Sequence, residues 1–342
     1  MIKEVIMNKL AFVFAGQGAQ YQGMGKDFYE NFISSREIFE KADKALGFGI
    51  TSICFEGSED ELAMTEITQP AIVTVTAAIL EAVKEKGFKP DMVAGLSLGE
   101  YSALVCSNSL SFEDTVRLVQ KRGKFMQEAV PVGVGTMAAI MGLTKEQTRE
   151  VCEEASIHGV VEPSNFNCPG QTVIGGEVEA VRKACEIAKT KGAKRAMELK
   201  VSAPFHTSML QNAAEKLWGE LSHVNVAPME IPVITNVTAQ RVQCETQIKE
   251  TLVKQVMSSV MWEDSIRYMI EQGVSTFVEI GPGKALSSFI KKIDKTVNIM
   301  NIEDLNSFEE TINKLEVLGY AKGSNSDWSN EGTWENDSVR VV

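Results

Sequence analysis

Ser97 lies at the centre of GLSLG (Gly95 to Gly99), after the short apolar run DMVAG and before a segment with helical periodicity. G-x-S-x-G between a strand and a helix is the nucleophile-elbow arrangement. Small flanking residues allow a sharp turn that lifts the hydroxyl off the C-terminal edge of a sheet, with a helix N-terminus behind it. The Leu98 amide then faces the same space and can donate to a developing oxyanion, with the positive end of the helix dipole adding to it. The same five letters also fit a plain strand-to-helix turn, so the serine needs a base to count as a nucleophile. The chain has 3 histidines. His158 opens an expected strand and His223 follows a helix, where a ring beside the last carbonyls has a structural use. His206, in KVSAPFHTSML, sits behind Pro204 and before a helix expected from about Thr207, where the chain can carry an imidazole over the sheet edge. His206 is therefore the candidate base. With 136 residues still to follow, it comes too early for an ordinary α/β-hydrolase, whose histidine is late.

The elements that must position these groups can be read from periodicity. KLAFVFA (Lys9 to Ala15) is a buried-strand run ending at GQGAQYQG, and a helix is expected across FYENFISSREIFEKADKAL. A long helix is expected from Gln69 to Gly87, then the strand DMVAG, a helix from near Leu98, and a helix after Ser111 as N-cap with Arg122 in its second half. From Pro131 to Ser202 the order becomes βαββαβ, a ferredoxin-like unit inserted into a larger α/β body. The body then resumes with a helix after His206, the strands PVITNV and STFVEI, a helix after GPGKAL, and a last strand and helix. The expected division is 8–130 with 203–318 as the large subdomain, 131–202 as the small one and 319–342 as a flexible tail. In that tail Trp328 and Trp334 could dock a partner, but a plain linker is preferred.

Composition removes several classes. The 342 residues are 44% hydrophobic and 23% charged with net charge −12, which argues against a nucleic-acid partner. The 6 cysteines show no C-x-x-C pair and no histidine at ligand spacing, so free thiols and no metal site are expected. MIKEVIMNKL lacks a signal-peptide core and no uninterrupted apolar run nears the ~20 residues of a membrane span, so a cytoplasmic protein off the membrane is expected. GQGAQYQG fails G-x-G-x-x-G at Tyr21, and GPGK has Val278 where a phosphate loop needs glycine. Neither supports a nucleotide cofactor.

Six motifs in order, AGQGAQ (Ala15 to Gln20), GLSLGEYSALV (Gly95 to Val105), QKRGKFMQ (Gln120 to Gln127), NFNCPGQTVIGG (Asn165 to Gly176), SAPFHTSM (Ser202 to Met209) and VEIGPGKAL (Val278 to Leu286), closely resemble the malonyl-CoA:acyl carrier protein transacylases of the acyltransferase family. The resemblance implies an α/β-hydrolase-like large subdomain on a short parallel sheet with the ferredoxin-like insert. It also implies Ser97 as the acylated nucleophile, His206 as its base, and the Gln17 and Leu98 amides as the oxyanion hole. By the same likeness Arg122 binds the substrate carboxylate and the Gln255 main-chain carbonyl orients the histidine. A guanidinium suits a malonyl carboxylate through two parallel charge-assisted bonds. Leu96 stands where many relatives have histidine, and Phe205 matches the malonyl-type signature. Asn165, Asn167 and Gln171 either line the cleft or hold a turn.

The implied partners are malonyl-CoA and an acidic acyl carrier protein, with no cofactor and a monomeric enzyme. Lys189, Lys191, Lys194 and Arg195, or Lys291 and Lys292, are the candidate docking cations. A free-standing acyltransferase of a polyketide synthase, a serine hydrolase or thioesterase, and a non-catalytic carrier-binding module are the competing readings.

Overall fold

The computed structural model describes residues 8–199, 201 and 203–320. Trp328 and Trp334 lie outside them. The first sheet has five parallel strands, β1 (Lys9–Phe14), β2 (Met92–Gly95), β7 (Val233–Ile234), β8 (Val274–Ile280) and β9 (Asn298–Ile302), in the order β7-β2-β1-β8-β9. Its central strand shows why KLAFVF reads as continuously apolar: it is covered on both faces, as parallel strands are. Leu10, Phe12 and Phe14 enter one core cluster and Ala11 and Val13 the other, following the two-residue alternation of a strand. The chain leaves β1 toward β2 on one side, while β8 lies on the other. That reversal of strand order opens a crevice at the C-terminal strand ends, where ligands bind in open α/β sheets.

The first core is roofed by the helix Thr65–Glu85, almost wholly buried, with Pro70 in its second turn. Its length and apolarity would suit a membrane span, but 83% of its most apolar window is buried inside this protein. It begins four residues earlier than periodicity placed it. The expected single helix before Leu46 is two, Lys26–Asn31 and Ile33–Leu46, because Phe32 is extended (φ −124°, ψ 126°) and turns the chain between them. Two short helices, Ile50–Glu56 and Glu59–Ala63, had no legible period at 7 and 5 residues.

The second sheet holds β3 (Gly135–Met141), β4 (Val161–Cys168), β5 (Gln171–Glu177) and β6 (Arg195–Glu198), all antiparallel in the order β4-β5-β3-β6. Its two helices, Lys145–Ala155 and Val178–Thr190, pack on one apolar cluster. This is the βαββαβ unit expected from sequence. Among the hydrogen bonds that tie it to the main body are two main-chain ones, Phe166 N to Val260 O (2.9 Å) and Val260 N to Ser164 O (2.8 Å).

The turn after β2 packs backbone closely against backbone. A Cβ on Gly95 would sit 1.9 Å from the Gly99 carbonyl carbon, and one on Gly99 would sit 2.0 Å from the Phe14 oxygen. Only glycine lets helix Gly99–Cys106 start against β1. Gly99→Ala is therefore expected to cost about 3 kcal/mol or more of stability, because the obstacle is backbone and cannot rotate away. Denaturant unfolding checks this, and a midpoint equal to wild type would contradict it.

Candidate functional site

Ser97 has φ +53°, a strained conformation for a residue with a side chain, and it is held there from outside the turn. Its amide donates to Asn236 Oδ1 (2.6 Å), and Asn236 Nδ2 donates to the Gly95 carbonyl (2.6 Å). Asn236 follows β7, the neighbour of β2, so sheet order supplies the clamp. The second strained residue is His206, with φ +61° and 4% exposure. Its Nε2 lies 2.7 Å from Ser97 Oγ and its Nδ1 lies 2.7 Å from the Gln255 carbonyl oxygen. A carbonyl can only accept, so Nδ1 carries the proton and Nε2 is left as the acceptor for the serine. His158 and His223 are exposed and line no part of this cavity.

Arg122 projects from the helix Phe112–Glu128, whose N-cap Ser111 accepts from the Asp114 amide. It is 1% exposed. Nη1 donates to Gln69 Oε1 (2.9 Å), and Nη2 donates to Gln255 Oε1 (2.9 Å) and Ser97 Oγ (3.2 Å). The Tyr101 ring lies 5.2 Å from the guanidinium carbon. No carboxylate forms an ion pair with Arg122 among the described residues, and its buried Nε has no hydrogen-bond partner among them. A buried cation held by neutral carbonyls beside a serine hydroxyl is able to receive an anion.

The Leu98 and Gln17 amides donate to no protein acceptor among the described residues. Leu98 is the N-cap of helix Gly99–Cys106, and Gln17 follows β1 on the cavity wall. A Cβ on Gly16 would meet the Leu96 oxygen at 2.5 Å, which shows how closely the two loops approach.

Ser97, His206, Arg122, Gln69 and Gln17 line a cavity of about 870 Å³ between the parallel sheet and the insert. Asn165 and Asn167 line it, whereas Gln171 does not and instead accepts from Lys292 Nζ (3.2 Å). Phe205 and Leu96 are also on its wall. The structure thus brings Ser97, His206, Arg122, Gln17 and Gln255 together from five separate chain segments.

Sequence reasoning missed three residues. Gln69 read as the first turn of a helix and Asn236 as the end of a strand. Glu100 stood only as one letter of the GLSLGEYSALV motif, with no role of its own. Glu100 is 1% exposed, and its Oε2 accepts from the Asn236 amide (2.8 Å) and from Gln255 Nε2 (2.9 Å). Nothing in one-dimensional spacing marks the burial of a carboxylate; only its place inside the GLSLGE motif pointed toward the site.

Burial is the main cause that lowers the His206 pKa from 6.5 to about 4. The Arg122 charge adds to it, while the Gln255 and Ser258 carbonyls oppose it. Burial raises Glu100 from 4.5 to about 7, opposed by the Asn236 amide, the Gln255 side chain and Arg122. Their contributions to stability run in opposite directions. As pH falls from 6.5 toward about 4, the unfolded chain takes up a proton that native His206 refuses, so stability is lost. As pH rises from 4.5 through about 7, native Glu100 keeps a proton that the unfolded chain has released, and stability is lost in that direction. For reactivity only the histidine matters directly. The rate of Ser97 labelling by a fluorophosphonate is expected to hold from neutral pH to well below 6.5 and to fall by half only near 4. A half-rate pH at the ordinary imidazole value would contradict the buried, neutral base.

The sequence matches the acyl transferase domain family over residues 11–325. A Bacillus subtilis (strain 168) malonyl CoA-acyl carrier protein transacylase is 45% identical over 311 residues, covering 91% of this chain and 98% of that protein. The crystal structure of the malonyl CoA-acyl carrier protein transacylase from Clostridium perfringens ATCC 13124 superposes with a TM-score of 0.89 at 51% identity, covering 91% of this chain and 98% of that one. A malonyl-transacylase solved in complex with its type II PKS acyl-carrier protein superposes with a TM-score of 0.88 at 40% identity, covering 90% of this chain and 100% of that one.

Proposed function

This chain belongs to the acyl transferase domain family, and from that premise we propose that it moves a malonyl group from malonyl-CoA, through malonyl-Ser97, to the phosphopantetheine thiol of an acyl carrier protein. The observation that carries this reading is the Arg122 guanidinium, buried without an anionic partner among the described residues and 3.2 Å from Ser97 Oγ.

The malonyl carboxylate pairs with Arg122 and brings the thioester carbonyl onto Ser97. His206 Nε2 takes the Ser97 proton as Oγ attacks, and the tetrahedral oxyanion accepts from the Leu98 and Gln17 amides. The imidazolium that forms is stabilised through Nδ1–H by the Gln255 carbonyl, in the place of a triad carboxylate. CoA leaves as its thiol with the proton from His206. The carrier thiol then enters, gives its proton to His206 and attacks the ester; the bond from the acyl carbon to Ser97 Oγ breaks, and His206 returns the proton to Oγ, regenerating the serine and leaving malonyl on the carrier thiol. Side chains and main-chain amides supply every step, so no cofactor or metal is invoked.

The body formed by 8–130 and 203–318 supplies nucleophile, base and cation, and the unit 131–202 supplies the opposite wall through Asn165 and Asn167. We place the enzyme in the cytoplasm as a monomer. Of the two basic clusters, the one at Lys291 and Lys292 is favoured as the carrier dock. It ends the helix Ala285–Ile293, whose residues Ala285, Leu286 and Phe289 line the cavity. In the other cluster Lys191 is already paired with Glu150 and Glu154. The PKS complex among the structural relatives supports a second reading, a free-standing malonyl transferase serving a polyketide carrier. Transfer rates to purified fatty-acid and polyketide carriers separate the two.

Intact mass after mixing with malonyl-CoA is expected to show one malonyl adduct on wild type and none on Ser97→Ala. Arg122→Ala is expected to lower kcat/KM for malonyl-CoA by about 10²-fold or more, because the substrate carboxylate is left unpaired in a dry site. Brisk hydrolysis of acyl-CoAs without a carboxylate, with no loss in Arg122→Ala, would favour a hydrolase instead. Lys291→Glu/Lys292→Glu is expected to raise KM for the carrier at least several-fold while leaving the rate of Ser97 malonylation unchanged; stopped-flow loading and steady-state transfer distinguish these steps.

A further inference from the structure

Gln255 does two jobs with two carbonyls. Its main-chain oxygen accepts from His206 Nδ1–H, and its side-chain Oε1 accepts from Arg122 Nη2. A side-chain amide is nearly symmetric in shape, so something must decide which end faces the guanidinium. Rotated by half a turn, Gln255 would set its NH2 against Arg122, donor facing donor, and turn Oε1 toward the acceptors. Two acceptors hold the NH2 away: the Ser97 carbonyl (3.0 Å), which also receives the Glu100 amide (3.1 Å), and Glu100 Oε2 (2.9 Å). Glu100 is in turn fixed by the Asn236 amide, the residue that clamps the Ser97 turn.

We propose that Glu100 is a positioning residue, whose Oε2 fixes the Gln255 amide in the orientation that keeps Arg122 aimed at an incoming carboxylate. Reach, not charge, does this, since both bonds arrive at the one oxygen. A glutamine at position 100 can place its carbonyl there, and an aspartate cannot reach. This assignment rests on the malonyl-transfer reading for its link to selectivity, but not for its geometry.

The test compares Glu100→Gln, which keeps the reach and loses the charge, with Glu100→Asp, which keeps the charge and withdraws the acceptor by one methylene. Glu100→Met, matched in length without an acceptor, serves as the second loss variant should the aspartate fail to fold. The ratio of kcat/KM for malonyl-CoA over acetyl-CoA is expected to stay within about threefold of wild type in Glu100→Gln and to fall by about tenfold or more in Glu100→Asp or Glu100→Met. A second readout needs no thioester. The buried Gln255 side-chain NH2 signals, identified by their loss in Gln255→Leu, are expected near their wild-type shifts in Glu100→Gln and displaced in the aspartate and methionine variants. Glu100→Gln falling as far as Glu100→Asp, or no variant moving either readout, overturns the proposal. A wild type without malonyl preference would sink the functional reading, and the amide signals alone would then decide the role of Glu100.

Discussion

A buried cation that forms no ion pair among the described residues is the constraint around which this molecule is arranged. Removing a guanidinium from water costs several kcal/mol, and neutral carbonyls only partly replace what is lost. Gln69 and Gln255 hold Arg122 from two sides, Tyr101 offers its ring, and the buried Glu100 carboxyl acts on it electrostatically without forming an ion pair. The sheet, the long buried helix Thr65–Glu85 and the Gly95–Gly99 turn all serve to keep that charge beside one hydroxyl. The same charge helps keep His206 neutral, so the guanidinium and the imidazole are electrostatically coupled.

Much of this was legible in the residues. The glycines around Ser97, the Ser111 cap and the βαββαβ order each have a local physical cause that sequence displays. The large scaffold followed because buried parallel strands are continuous apolar runs and their helices are long. What could not be read are contacts that depend on strand order. Asn236 reaches the Ser97 turn only because β7 lies beside β2, and a two-residue strand carries almost no periodic signal. Gln69 and Glu100 failed for a related reason: both sit in the first two turns of helices, where polar residues are ordinary, and their burial comes from tertiary packing. The break at Phe32 was missed because an apolar residue there fits either one helix or two.

The strain at the site has identifiable supports. Ser97 and His206 both hold positive φ, and each is braced by partners distant in sequence, Asn236 for the first and Gln255 for the second. Folding energy from elsewhere in the chain maintains these conformations, so the contact between Ser97 and His206 is built into the fold.

The pair of main-chain bonds between β4 and Val260 has its own consequence. Val260 is five residues beyond Gln255, so the insert is pinned to the very run of chain that steers the imidazole. The two walls of the cleft therefore share a common anchor: whatever holds the ring on one side is stitched, five residues on, to the strand that faces it from the other.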